Sequence, residues 1–435
     1  HARHQPYESL VLCPDQPTQS RAMARGMPGA DPLNLLFLSQ LLPYPPDAGA
    51  KVRAYYTLRW LAERHAVTLV AFTRPDDPPE ALAHLQGFCR AVHTVPMPRS
   101  RRRDGLALAD SLLRGQSFII RRDRSGEMDA LLRRLAREGA FDAVHADQLW
   151  MAQHALRYTF HVQTFSRSNV QRIVLDEHNA CFQIFERLAQ GEAHPLKRWL
   201  WRREARRLQA YEAEVCRRFD RVVTVTEEDR ATLQGLAGDG SRFAAIPICV
   251  DTAEVAPVAP QGHGLNVLHL GTMFWPPNVE GVAWFLREVW PRVRQALPGA
   301  SFSVVGKNPP AELAALAAGQ GVELAGYVPD PQPWLARAGA FVVPLLSGGG
   351  MRVKIVEAWR WGLPIVSTSL GAEGIEYVDG EHLLIADDPA SFAAAVLRLL
   401  QDPALNKCLR GSGRRWVEQH YDWRSVYPAW DTVYA

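Results

Sequence analysis

From position 34 onward, short apolar runs rich in β-branched residues alternate with longer stretches whose apolar side chains recur every three or four positions. The short runs predict buried strands at 34–39, 67–73, 91–96, 141–146, 172–177, 221–226 and 243–248. Between them, 52–65 and 128–138 carry helical spacing. Alternation of this kind predicts a parallel sheet wrapped by helices. A polar stretch rich in Pro, Ala and Gly, 252–264, then interrupts the pattern and reads as a linker. The alternation resumes with strands at 266–271, 301–306, 322–326, 341–345, 365–368 and 382–386. The expected fold is therefore α/β, with two doubly wound Rossmann-like domains facing a cleft. Ligands of such sheets bind beyond the carboxyl ends of the strands. The tail from 414 carries Trp416, Tyr421, Trp423, Tyr427, Trp430 and Tyr434. So aromatic a stripe needs a surface to bury it, which predicts a terminal helix packing back toward the first domain.

Composition narrows this reading without changing it. A chain of 435 residues is too long for one ordinary core. No apolar run reaches 18 residues, so no segment is predicted to span a bilayer. The first thirty residues are polar and lack the apolar core of a secretory signal; 1–32 reads as a disordered leader or expression remnant, with Met27 a candidate initiator. Cys13, Cys89, Cys181, Cys216, Cys249 and Cys408 form no C-x-x-C pair, which points to a reducing cytoplasm, not to a disulfide frame or a zinc site. Net charge is only +3, but arginines cluster at 99–103, 121–124 and 197–207. The last cluster interleaves Trp199, Leu200 and Trp201 with the cations, a pattern that suits solvated helix faces or peripheral contact with an anionic membrane.

The most specific chemistry lies at Ser347-Gly-Gly-Gly350, which runs into Met351-Arg-Val-Lys-Ile-Val-Glu357. A strand precedes and a helix follows. Gly348, Gly349 and Gly350 let backbone N–H groups converge with no Cβ in the way. The helix start adds its free N–H groups and positive dipole end. Arg352 and Lys354 in that first turn oppose the dipole, which costs stability unless an anion sits there. Together these residues, with Met351, describe a phosphate or diphosphate cradle. Glu357, further along the helix, is placed to accept hydrogen bonds from a ribose diol.

The first half offers two more candidates. Gly49 opens a helix after Leu41-Leu-Pro-Tyr-Pro-Pro, where backbone could approach a ligand. Val174-Leu-Asp-Glu-His178-Asn179 ends an apolar run in four polar groups at the ligand-facing rim. His178 there suits a sugar hydroxyl or phosphate oxygen, and Asn179 a helix cap. Thr226-Glu-Glu-Asp229 is a capping box and reads as structural.

In this order the motifs resemble the retaining GT-B glycosyltransferases of the group 1 family, also called glycosyltransferase family 4. The likeness also takes in 271–278, Gly326-Tyr-Val-Pro-Asp330 and Gly362-Leu-Pro-Ile-Val-Ser367. The resemblance implies an N-terminal acceptor-side domain (33–255), a C-terminal nucleotide-sugar domain (256–414) and a crossover helix (415–435) packing on the N-terminal domain. It implies that Gly49 gives the donor a backbone N–H and that His178 stands against the transferred sugar. Tyr327 and Val328 would read the nucleotide base, and Glu357 would hold the ribose. Two departures stand out. The first glutamate of the family's E-x7-E signature falls at Gly349, and 272–278 lacks the family's diphosphate-neutralising cations. Arg352 and Lys354 are expected to take over that work.

The expected activity is transfer of a sugar from a nucleotide-diphosphate donor to a glycan, lipid-linked or small-molecule hydroxyl acceptor. No D-x-D pair occurs, so neither a metal nor another cofactor is expected. Nucleic acid is not an expected partner. The alternatives are a nucleotide-sugar 2-epimerase on the same fold and a catalytically inactive nucleotide-sugar-binding protein.

Overall fold

The computed structural model describes residues 31–97, 100–139, 141–165, 170–261, 264–273 and 275–435. Residues 1–30 of the expected leader, with Met27 and Cys13, lie outside the described residues, as do Arg99 and Phe274. Two parallel sheets dominate the chain. The first contains β1 (Asn34–Ser39), β2 (Ala66–Thr73), β3 (Ala91–Pro96), β4 (Ala143–Asp147), β5 (Arg172–Glu177), β6 (Arg221–Thr224) and β7 (Phe243–Ala245). Their order is β3-β2-β1-β4-β5-β6-β7. The second contains β8 (Asn266–Leu270), β9 (Ser301–Val305), β10 (Val322–Gly326), β11 (Ala338–Val343), β12 (Ile365–Ser367) and β13 (Leu384–Ile385), ordered β10-β9-β8-β11-β12-β13. This is the two-domain α/β GT-B architecture.

The strands form where apolar residues can be buried on both faces. Leu35, Leu36, Phe37 and Leu38 of β1 are all fully buried, as a central parallel strand under two helical layers requires. Several strands differ from expectation at their ends. β7 stops at Ala245, two residues ahead of Pro247, which has no N–H for a ladder. β11 starts three residues earlier than predicted, at Ala338, because Gly339 fits closely under Gly264: a Cβ there would clash with its carbonyl. Small residues carry little hydrophobic signal, so the sequence pattern passes over them.

Strand order reverses direction between β1 and β4 in one sheet and between β8 and β11 in the other. These are the switch points at which open α/β sheets form crevices. At the first, Ser39 Oγ donates to Asp147 Oδ2 at 2.7 Å, joining the carboxyl ends of β1 and β4. The second is bounded by the loops that follow β8 and β11.

The aromatic tail is three elements where one crossover helix from 415 was expected. A helix spans Pro403–His420, capped by Asp402 with proline at its first position. Two short helices follow, Trp423–Val426 and Ala429–Tyr434. The break falls at Asp422, which caps the first short helix and accepts the Thr252 hydroxyl at 2.6 Å. Trp423 lies 5.7 Å, ring to ring, from Tyr56, and Trp60 donates to Asp431 at 3.2 Å. The end of the chain thus packs on the Gly49–Ala62 helix of the first sheet.

Candidate functional site

After β11 the backbone turns through Gly348 and Gly350, whose φ angles of +112° and +78° disfavour residues with a Cβ. It then enters the Val353–Arg360 helix. Arg352, at the N-cap, folds back on the loop: it donates to Gly349 O at 2.8 Å and Leu370 O at 3.2 Å, and lies 3.3 Å from Glu373. Lys354 donates to Asn278 Oδ1 at 2.7 Å and has no carboxylate within ion-pair distance among the described residues. Burial, then repulsion from Arg352, pushes the Lys354 ammonium down to about 7. His269 beside it bonds Val342 O through Nδ1, while its Nε2 is buried without a partner. Burial, then Lys354, pushes that imidazole down to about 3, so it is neutral. A helix start, a constrained glycine loop and an unneutralised ammonium therefore share one corner at the second switch point. A dianion placed there would satisfy all three.

The opposing rim is the end of β5. Alternation sends Asp176 and Glu177 to opposite faces of the sheet. Asp176 is fully buried and receives Arg53 from the Gly49–Ala62 helix through contacts of 2.9, 3.2 and 2.9 Å. Burial opposes the Asp176 charge, but Arg53 and then His145 outweigh it and hold the carboxyl far below its usual range. Arg53 also donates to Pro247 O at 2.9 Å and lies under the rings of Tyr427 and Trp430. On the other face, neither oxygen of Glu177 has a well-formed hydrogen bond. It shares a buried site with Glu212, whose carboxylate accepts the N–H groups of Cys181 and Phe182 at 2.6 and 3.0 Å. Glu212 thereby caps the Cys181–Gly191 helix, and burial raises its carboxyl to about 8.

His178 follows β5 and is nearly buried. Its Nε2 lies 2.9 Å from Asp147 Oδ1, though without the alignment of a hydrogen bond. Asp147, Asp176 and His178 bring one ligand atom each within 4.8 Å of one another. Both Asp176 oxygens are already engaged by Arg53, so the set fits an ion-pair network better than a metal site.

The two rims meet at the glycine loop. A Cβ on Gly349 would lie 2.9 Å from an Arg187 nitrogen, and one on Gly350 would overlap Asn179 Oδ1. Arg187 reaches from the Cys181–Gly191 helix to Gly348 O at 2.5 Å and pairs with Glu373 at 2.8 Å. Met351 Sδ accepts the Ile248 N–H at 3.2 Å. A small cavity of about 60 Å³ remains between Asn179, Gln183, Arg187, Gly350 and Glu373. Gly49 touches the same helix start, since an added Cβ would lie 3.3 Å from Val353.

The remaining candidates lie around this centre. The Glu357 carboxylate is 3.2 Å from Arg360, which also pairs with Glu254 and donates to Asp251 O at 2.8 Å. Burial raises the Glu357 carboxyl above its usual value. Tyr327, 64% exposed, follows the edge strand β10, and the Lys307 ammonium lies 4.6 Å from its ring centre. Val328 is half-buried and packs against the core. Arg187, Asn278, Lys307 and Glu373 were missed in the sequence. Lys307 alone carried a usable signal, because it follows β9 by a single glycine and so falls at the ligand-facing edge.

Comparison with known proteins shows the family of the chain. Residues 48–254 match the family model "Glycosyltransferase Family 4", and residues 264–402 match "Glycosyl transferases group 1". Together the two models take in most of the chain. It belongs to the group 1, family 4 glycosyltransferases. Within that family the chain is 29% identical over 169 residues to a phosphatidyl-myo-inositol mannosyltransferase of Mycobacterium leprae, covering 38% of this chain and 44% of that protein. It is 29% identical over 173 residues to an uncharacterized 44.6 kDa protein in the cps region of Klebsiella pneumoniae, covering 38% and 45%. These matches span less than half the length of the curated relatives. Among solved structures, Anabaena HepE in complex with UDP and glucose superposes with a TM-score of 0.64 at 13% identity, covering 92% of this chain and 99% of that one. That likeness shows the shared GT-B fold. No helix among the described residues of this family 4 chain is long and apolar enough to cross a membrane.

Proposed function

We propose that the chain is a retaining glycosyltransferase that moves a sugar from a nucleotide-diphosphate donor to a hydroxyl acceptor on a glycan, lipid-linked saccharide or small molecule. The observation that carries this reading is the part-buried Lys354 ammonium without a carboxylate partner, set beside a glycine loop and a helix N-terminus. The donor's diphosphate would lie against Gly348, Gly349, Gly350 and Met351, with Lys354 and Arg352 neutralising it. Glu357 would take the ribose, Tyr327 and Val328 the base, and Gly49 would add a backbone N–H from the opposite rim. His178 would face the transferred sugar. HepE, which shares the fold, was crystallised with UDP and glucose, which supports a donor of this type.

Breaking the sugar–diphosphate bond builds charge on the leaving phosphate. Groups already oriented toward that charge stabilise it without reorganising. Lys354 would supply the positive charge that a divalent ion supplies elsewhere, with Arg352 behind it bracing the glycine loop, and transfer is proposed to be metal-independent on that ground. Attack from the face the diphosphate leaves, with the departing phosphate taking the acceptor proton, would retain configuration.

The proposed compartment is the cytoplasm, with peripheral contact at the inner membrane face. Leu106 and Leu113 are 72% and 88% exposed on the arginine-rich Arg101–Arg114 helix, and Trp199 is 52% exposed on the Pro195–Arg218 helix. Trp201, grouped with Trp199 in the sequence, instead packs against Phe185 with ring centres 5.8 Å apart.

The test is nucleoside diphosphate release from UDP-, GDP- and dTDP-sugars, with and without candidate acceptors. Acceptor-dependent release that falls about a hundredfold in Lys354→Ala supports the reading. Isomerised donor without release would favour a 2-epimerase.

A further inference from the structure

A second basic pocket lies in the first domain, lined by none of the residues of the cleft. It opens between the Leu149–Phe165 helix, the Pro195–Arg218 helix and the turn at Gly115, with a volume of about 760 Å³. Arg124, Arg133, Arg157, Arg207 and Arg218 line it. Acidic groups do not balance them. Arg133 and Arg157 share the single carboxylate of Asp129 with His161, at 2.8, 3.0 and 3.0 Å. Arg218 has Glu214 at 3.5 Å. Arg124 and Arg207 have no carboxylate within ion-pair distance among the described residues, and no side-chain hydrogen bond.

Crowded cations raise the free energy of a fold unless an anion joins them. Burial, and then repulsion from Arg121, Arg157 and Arg114, already lowers the Arg124 guanidinium from its ordinary value. In the pocket lining, the Tyr211 hydroxyl is buried without a hydrogen-bond partner; burial, then Glu177 and Glu214, push it up, and Arg124 and Arg218 oppose them. A buried hydroxyl left unpaired costs stability, and a ligand oxygen would relieve it. Apolar surface completes the lining: Ile120, Leu156 and Phe160, the last 64% exposed.

We propose that this pocket is a second anion site, which binds the phosphate group of a molecule whose remaining part is apolar. Planar guanidinium forks match phosphate oxygens in pairs. The apolar wall would receive the rest of the molecule. A soluble phosphate ester and a phospholipid headgroup present the same chemistry, so the test separates them.

The full chain is titrated calorimetrically with phenyl phosphate, in the presence and absence of saturating UDP. It is also sedimented with phosphatidic acid vesicles and with phosphatidylcholine vesicles. Variants are Arg124→Gln/Arg207→Gln, with Tyr211→Phe as a milder probe and Arg352→Ala as a control in the cleft. Both arginines are exposed, so the double variant should fold. The proposal expects binding that persists under UDP, weakens at least tenfold in the double variant and severalfold in Tyr211→Phe, and is unchanged in Arg352→Ala. Binding of phenyl phosphate identifies a soluble ester as the source, and binding of phosphatidic acid vesicles alone identifies a headgroup. Binding that UDP abolishes, that survives in the double variant, or that neither probe produces overturns the proposal. Binding that UDP abolishes would place phenyl phosphate in the cleft; the other outcomes do not bear on donor binding there.

Discussion

Gly350 lies so close to Asn179 that a Cβ on the glycine would overlap the asparagine's side-chain oxygen. The contact joins the loop after β11 in one sheet to the rim after β5 in the other. The glycine also has φ +78°, a conformation L-residues adopt only with strain. Gly350→Ala therefore carries two penalties, a local strain of about 1–2 kcal/mol and a displacement of Asn179 from the loop. The expected result is a modest fall in thermal midpoint with a loss of donor turnover of about a hundredfold, since small misplacements at a reacting centre cost that much. A variant with wild-type kcat/KM would show that the contact does not shape the site.

Lys354 should give donor binding a pH signature. Its ammonium titrates near 7 without ligand, and a bound dianion would favour the charged form. Donor or UDP binding should therefore draw a proton from solution between about pH 7 and 9. Affinity should weaken as pH rises through that window and level off below it. Calorimetry in buffers of different ionisation enthalpy measures the uptake. In Lys354→Met the uptake should disappear, along with most of the pH dependence.

Arg53 and Asp176 test the frame that carries His178. Both side chains are fully buried, and each leaves the other uncompensated if removed. Arg53→Ala is expected to destabilise the chain by about 3–5 kcal/mol, and Arg53→Met/Asp176→Leu by much less. Denaturant unfolding of the single and double variants measures the difference. Equal stability of Arg53→Ala and wild type would contradict the network.

Much of this was legible in the sequence because it depends on local pattern. Apolar runs such as 35–38 are buried on both faces and could be placed almost to the residue. The glycine loop announced itself because three glycines before a helix place a strong constraint on backbone. What stayed hidden depends on distant residues. Arg53 pairs with Asp176 across 123 positions, and Arg187 meets Glu373 across 186. Neither residue type in either pair signals its partner. The tail's aromatic stripe was readable, yet its break was not, because Asp422, which caps the next short helix, is fixed by a tertiary bond from Thr252. Arg352 was expected to face an anion directly; it is folded onto Gly349 and Leu370 carbonyls, beside Glu373. That arrangement makes Lys354 the freer of the two cations.

A pyrophosphate-bearing donor is proposed to bind at this loop, and the decisive experiment is a crystal structure of the chain soaked with UDP or a sugar nucleotide. Diphosphate density is expected against Gly348, Gly349 and Gly350, within hydrogen-bond distance of the Lys354 ammonium. Density elsewhere in the molecule, with the loop and Lys354 left in their present contacts, would contradict it.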